Sequence, residues 1–399
     1  MKLINLEKED IEVYNKTLNK KKVIITMIII ILIIILVIIS SIYITNSNFR
    51  SLMDQYVFRK NVTENNLDYI DTNSESNLHI SAYDKYIVTL EKNTLTHYNS
   101  SGKKESELNL QISEPIFDSD GKYLMIAEKN KQRIYLVNNN SIVWQKDIEG
   151  NISKISVNKN GYTSVVISGT AYKSVIEVFD KEGRELFKTY LSSNIVMDSS
   201  ISEDNKYLSF AEINTSGTLI QSSIKTISID KAKESPTDSI IYTYDAEQND
   251  LIVNIKYHDK NKLVCIYNNG VHVINNNKDE LLMTLNDKDK KIAFSDIELT
   301  DYAYRIIEKS TGLFKADSTI ELYNTSTKKQ NVYTFEGVAK KIYSCSDIIA
   351  INLGSEVHFI GTNGWLIKKY SSTQEIKDIV LTDNLAGIIY RDKIEFISL

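Results

Sequence analysis

The chain has 399 residues, a formal charge of −5 at pH 7, 42% hydrophobic and 25% charged residues, which is enough for a large folded unit and not a disordered composition. Its first 22 residues carry six lysines against four acids, so everything beyond them carries −7. A basic nucleic-acid-binding face is thereby disfavoured, and no nucleic-acid partner is expected.

Residues 1–22 read as a cytoplasmic tail. Ile4, Ile11 and Leu18 recur with Tyr14 near the same face, a weak amphipathic pattern in what is otherwise a solvated topogenic segment. Residues 23–45 follow as 23 almost wholly apolar residues. As a helix they would measure about 34 Å, which spans a hydrocarbon core of roughly 30 Å with some tilt. Lys20, Lys21 and Lys22 stand directly before this segment, whereas only Arg50, Arg59 and Lys60 follow within fifteen residues. The positive-inside rule then puts the N-terminus in the cytoplasm and the rest outside a bacterial cell membrane. The segment is too long for a cleaved signal peptide and no small-residue cleavage site follows it, so an uncleaved anchor is expected. Residues 46–77 read as a linker.

From residue 78 to 399 a short extended pattern recurs eight times, an apolar-rich strand that usually closes on Asn or Asp. The copies are Leu95–Asn99, Ile134–Asn138, Ile176–Asp180, Thr226–Asp230, Val271–Asn275, Ile320–Asn324, Val357–Gly361 and Ile394–Ser398. Their last residues are 39, 42, 50, 45, 49, 37 and 37 positions apart, a period near that of a four-stranded propeller blade. A second strand precedes each copy, often opened by a turn and an aromatic residue, as in Gly121-Lys122-Tyr123 and Asn205-Lys206-Tyr207. Before that turn lies another apolar strand, with Ile155 and Val157 in the third unit and Ile201 in the fourth. A fourth strand follows each copy, for example Ile142-Val143-Trp144-Gln145. Each unit thus reads as strands a, b, c and d of an antiparallel sheet, and the fold class is all-β, an eight-bladed β-propeller behind one transmembrane helix. Glycine is scarce at 14 and proline nearly absent at 2, so Asn and Asp are expected to take the left-handed turn positions. Cys265 and Cys345 fall in non-neighbouring units and are expected as buried, unpaired thiols.

The stretches Phe117–Leu124 and Ile201–Leu208 resemble the a–b turn of WD40-like repeats in bacterial envelope proteins, and the strand around Trp144 resembles a quinoprotein-type repeat. With its short basic tail, single anchor and diverged propeller in an Ile-, Asn- and Lys-rich sequence, the whole chain is similar to an uncharacterised clostridial membrane family, domain-of-unknown-function family 5711. That resemblance covers nearly the entire chain and implies no activity.

The eighth unit ends at Leu399 directly after its c strand, so its d strand has to come from elsewhere to cover an open edge. Gln55–Val62, the extended apolar-containing stretch after the anchor, is the expected closing strand. Seven blades with one unit outside the ring is the competing reading.

No Gly-x-Ser-x-Gly elbow or phosphate-binding loop is present, and Asp118-Ser119-Asp120-Gly121 reads as a hairpin turn rather than a calcium loop. His272 and His358 occupy equivalent c-strand positions, a mostly polar slot expected on the outer face, without partners at metal-ligand spacing. No catalytic residue, metal or cofactor is expected. Glu91, Glu128 and Glu212 each follow the b-strand aromatic by five residues, with Glu308 one step out of register, and form a candidate acidic rim. The b–c loops are longest in the third, fourth and sixth units, and insertions on one face of a repeat array mark its binding face. Tyr172, Leu219, Ile220, Leu313, Phe314 and Lys315 on those loops are the candidate contact residues. The expected role is a binding or scaffold module for a protein, peptide or cell-envelope ligand. A transmembrane sensor coupled to a cytoplasmic partner is the alternative, and a propeller enzyme a third reading.

Overall fold

A computed structural model of the protein describes residues 20–45, 53, 69–72, 78–99, 101–217, 220–275, 278–286, 291–310 and 316–399. The chain divides into two compact units, residues 1–62 and 63–399. Within the first, Lys20–Thr45 is one helix. Its side chains from Ile24 to Ile42 are exposed all round, and Ile24–Tyr43 is long and apolar enough to cross a membrane. An apolar surface on every side, with no polar stripe, suits lipid rather than water.

The second unit contains eight four-stranded antiparallel sheets, so the eight-bladed propeller is the fold and the seven-bladed alternative falls. Each of the eight sequence copies lies at the third strand of its sheet, as in Arg133–Asn138 of blade 2 and Lys393–Ser398 of blade 8. In the fourth copy the strand ends at Ser228, and Ile229–Glu234 continues as a helix that buries Ile229 and Ala232. Turn chemistry follows the expectation from composition. Of ten described non-glycine residues with positive φ, six are Asn and one is Asp84. These residues adopt the left-handed region at lower cost than most and so replace glycine in the hairpins.

Among the described residues no strand of one blade pairs with a strand of the next. The blades are held together by apolar seams, one at each blade-to-blade junction. Between blades 2 and 3, for example, Met125, Leu136 and Trp144 meet Ile155, Val165 and Phe179. Each such side chain, removed from water, contributes about 1.5–3 kcal/mol. Trp144 reaches so far over blade 3 that a Cβ on Gly183, at φ +78°, would lie 2.7 Å from its ring. This explains a glycine in that c–d turn.

The ring closes where blade 8 meets blade 1, but through a different segment from the one expected. The fourth strand of blade 8 is Tyr69–Asp71, antiparallel to the last c strand, with Tyr69 opposite Glu395, Ile70 opposite Ile394 and Asp71 opposite Lys393. Gln55–Val62 lies outside the described residues, and the edge assigned to it is filled by a shorter segment later in the chain. The closing seam packs Ile394 and Phe396 against Ala82 and Ile87, with Ile70 and Tyr98 alongside. Gly102 of blade 1 leaves room for the Phe396 ring, 2.8 Å from where a Cβ would stand. Phe396→Ala should therefore lower the unfolding free energy in urea by about 3–5 kcal/mol. A loss under about 1 kcal/mol, the range of ordinary surface changes, would mean that this seam does not close the ring.

Candidate functional site

The blades present two ends. The b–c loops and the d–a connections share one; the a–b and c–d turns share the other.

At the first end, the b–c connections of blades 3, 4 and 6 run from 169 to 173, 215 to 220 and 311 to 315, longer than the two-residue turns at 92–93 and 268–269. Tyr172 is 40% exposed and Ile220 53% exposed. Leu219, Leu313, Phe314 and Lys315 lie outside the described residues. Further apolar groups at this end escaped the sequence reading. Tyr190, at the close of the blade 3 d strand, packs its ring 4.8 Å from that of Tyr172 and is itself exposed. Ile195 and Val253, near the starts of the inner strands of blades 4 and 5, are also exposed. Five exposed apolar residues thus lie at this end of three consecutive blades.

The four glutamates of the candidate rim are placed at the same end, but three are engaged within their own blades. Glu128 accepts hydrogen bonds from Lys131 Nζ at 2.6 Å and Ser113 Oγ at 2.6 Å. Burial disfavours its charge, yet these donors outweigh it and hold the carboxyl below its ordinary range. Glu212 pairs with Lys225 at 2.7 Å, and Glu308 with Lys291 at 2.5 Å. Glu91 alone has no ion pair among the described residues.

At the other end the innermost strands enclose an axial cavity of about 420 Å³. It was not anticipated from sequence. Asp118 and Asp120, read as turn residues, stand at the close of the blade 2 inner strand and line it. Seven carboxylates line the cavity against Lys256, the only lysine or arginine in its wall among the described residues. Lys256 is paired to Glu298, and both side chains stay partly exposed, at 27% and 44%. Burial opposes the charge on Lys256, but Glu298, Asp120 and Asp118 more than compensate and hold its pKa above the ordinary lysine value.

Two of these acids, together with Asp198 of the blade 4 inner strand, also stitch the ring. Asp118 Oδ2 accepts the backbone N–H of Val157 in the next blade at 2.7 Å, and Asp198 Oδ2 accepts that of Ile255 at 2.9 Å. Asp296 accepts Ser344 Oγ of blade 7 at 2.6 Å and Tyr304 OH at 3.2 Å. The inner strands lack ladder partners on their axial side, so a short carboxylate satisfies a donor across the gap. A sequence signal existed: Phe117-Asp118-Ser119 and Met197-Asp198-Ser199 repeat an apolar–Asp–Ser triplet in inner strands.

The histidines are differently disposed from expectation. His358 is buried and bonded through Nδ1 to Tyr333 OH at 3.0 Å, so the slot it shares with His272 is not an outer face. His272 pairs with Asp279 at 2.9 Å. Cys265 is buried and Cys345 half-buried in the cavity wall; both are free thiols. Among the described residues no group of three or more His, Cys, Asp or Glu is arranged to hold a metal ion.

With this geometry in place, a family model described as "Family of unknown function (DUF5711)" matches residues 37–399. The chain belongs to that family. No curated protein sequence matches this DUF5711 member significantly. Among solved structures, Sqt1 from Chaetomium thermophilum is similar at a TM-score of 0.51 and 9% identity, covering 84% of this chain and 98% of Sqt1. Sqt1 from the same organism bound to the N-terminus of ribosomal protein L10 aligns at 0.50 and 10%, covering 84% and 100%. BamB from Moraxella catarrhalis aligns at 0.49 and 11%, covering 84% and 99%. The Sqt1 likeness is one of fold.

The cavity gives this protein a pH signature. Burial, with Glu298 nearby, pushes the Asp118 carboxyl up to about 7. In the unfolded chain it titrates near 4, roughly the free aspartate value. Between these pH values the folded state holds the extra proton, so stability falls as pH rises through the window. Asp118→Asn, which keeps an acceptor for Val157, should flatten this slope. Melting temperature at pH 5 and pH 8 reads it: the wild type should lose more than the variant on going to pH 8, and equal losses would contradict the assignment.

Proposed function

We propose that the protein is a membrane-anchored, non-enzymatic binding and scaffold module, oriented with its N-terminus in the cytoplasm and its propeller outside, that docks a protein partner of the cell envelope through the b–c/d–a end. The observation that carries this is the group of exposed apolar side chains there on blades 3 to 5, with the Tyr172 and Tyr190 rings in tilted contact at 4.8 Å and Ile195, Ile220 and Val253 on neighbouring strands and loops. Exposed aromatics on a rigid frame supply contact area at low entropic cost, and such residues dominate the energy of protein interfaces. The long loops at 169–173 and 215–220 belong to the same blades. The lysines at 20–22 on one flank of the apolar helix support the orientation. Sqt1, a propeller of this fold, has been seen bound to the N-terminus of another protein. That supports a docking role without naming a partner.

Replacing Tyr172 and Tyr190 together by Ser should cut recovery of surface-crosslinked partner by roughly tenfold or more, the size expected for losing two aromatic anchors. The melting temperature should stay within a degree or two, since both rings are exposed. Trp365→Ser, on an exposed c–d turn at the opposite end, should leave crosslinking unchanged. If the double variant crosslinks like the wild type, or if Trp365→Ser weakens recovery instead, the b–c/d–a end is not the docking face.

A further inference from the structure

Blades 2 and 4 carry a large aromatic side chain at matching positions of their d strands, but only one of the two is covered. In blade 2 that residue is Trp144, opposite Leu136 and beside the register shift of the strand pair; it is 8% exposed and packs on Phe179 of blade 3. In blade 4 it is Tyr242, opposite Thr226 and beside the same register shift, and it is 42% exposed. Leu136 and Thr226 match because each pairs with the third residue of a b strand that opens on tyrosine, Met125 after Tyr123 and Ser209 after Tyr207. The seam that Trp144 plugs between blades 2 and 3 thus stops short between blades 4 and 5. There Ala211 and Ile224 still meet Ile255 and Leu263, but toward the a–b/c–d end a cavity of about 230 Å³ remains.

The lining of this cavity sets the chemistry of what it can hold. Four tyrosines stand in it, Tyr207, Tyr242 and Tyr244 of blade 4 and Tyr257 of blade 5, with Lys260 and Asn261 on the blade 5 a–b turn. Thr226 lines it too, and Thr226 Oγ1 and Tyr257 OH each lie 2.8 Å from Ser209 Oγ, a group of hydroxyls able to donate or accept. Among the described residues no carboxylate lines the cavity, and Lys260 is its one charged group. A cation, even a quaternary ammonium of the kind that aromatic cages hold, would meet a lysine and no counter-charge. An anion would find a single exposed ammonium, a weak attraction in water. A purely apolar ligand would strand the hydroxyls and the Asn261 amide. The lining instead matches an uncharged molecule with an apolar face and a rim of hydroxyl groups, which is the chemistry of a sugar ring.

We propose that the cavity between blades 4 and 5 is a binding site for a neutral sugar ring, whose apolar face lies on Tyr242 while its hydroxyls bond Asn261, Thr226 and the tyrosine hydroxyls. A volume of about 230 Å³ takes one such ring and not a folded domain. Aromatic grooves also receive proline-rich peptides, but those lie along an open track of several residues, whereas this is a single compartment between two blades. The ring belongs either to a free sugar or to a polysaccharide chain, and the two are separable by experiment.

The test is saturation-transfer NMR with calorimetric titration of the full-length protein, in a detergent that has no sugar headgroup. The probes are glucose, N-acetylglucosamine, cellotetraose and chitotetraose, with choline and decaproline as controls. At least one saccharide should bind, and neither control should. Tyr242→Ala, which removes an exposed ring, should weaken that binding by roughly tenfold. Lys260→Ala should leave it within about twofold, because the ring carries no charge. A monosaccharide that binds as tightly as its tetramer assigns a free sugar, and a tetramer that binds more tightly assigns a polysaccharide chain. Should Tyr242→Ala misfold, Asn261→Ala on the exposed turn takes its place and should also weaken binding. Absence of binding by all four saccharides, binding of choline or decaproline in their stead, or unchanged affinity in a folded variant overturns the site. Each of these results leaves the docking face at Tyr172 and Tyr190 to its own test.

Discussion

Everything in the propeller depends on blade-to-blade contact without strand pairing. Strands pair within each sheet, and among the described residues no ladder crosses from one blade to the next. Cohesion has to come from side chains: eight apolar seams, one per junction, and short polar groups such as Asp118 and Asp198 that accept backbone donors across the inner gaps. A ring also has one seam that the chain order cannot supply. Blade 8 contributes three strands from Asp378 to Ser398, and the fourth arrives from Tyr69–Asp71 before the first blade. The closing junction is therefore made by residues more than three hundred positions apart, and opening it would expose both a sheet edge and the apolar faces of Ile394 and Phe396.

The same taper that makes seams necessary makes the axis polar. Inner strands converge on a space too narrow for a further apolar layer and too wide to close, so their axial side chains face water and one another. Some of the resulting carboxylates hold the ring, as Asp296 does with Ser344. Others add charge that the wall does not balance. The b–c/d–a end shows a different character, with its glutamates largely paired inside their blades and its exposed surface aromatic and aliphatic on blades 3 to 5. The two ends thus differ in surface chemistry.

How much of this was legible depended on repetition. The third strand carries an apolar pattern on every blade because both seams and sheet demand it, and eight copies reinforce one another; blade number, strand order and the Asn-rich turns were all readable from it. The closing strand was not. Tyr69-Ile70-Asp71 is three residues long with a single inward apolar side chain, whereas Gln55–Val62 carries Tyr56, Val57, Phe58 and Val62 and made the stronger local pattern. The axial acids were hidden by context, since Asp118 and Asp120 sit beside Gly121 and look like turn formers until a ring places them inside. His358 was misplaced because a polar residue in a strand suggests an outer face, while the Tyr333 hydroxyl lets it be buried.

Ring closure by Tyr69–Asp71 is the claim on which the eight-bladed account stands, and a cross-strand thiol pair tests it most directly. Asp71 and Lys393 face one another in the antiparallel register, at a separation that a disulfide can bridge. Asp71→Cys with Lys393→Cys, in a full-length chain whose Cys265 and Cys345 are replaced by Ser, should form an intramolecular disulfide rapidly on mild oxidation, without loss of melting temperature. Failure to crosslink, together with efficient crosslinking of Lys393→Cys to a cysteine placed within Gln55–Val62, would show that a different segment closes the ring.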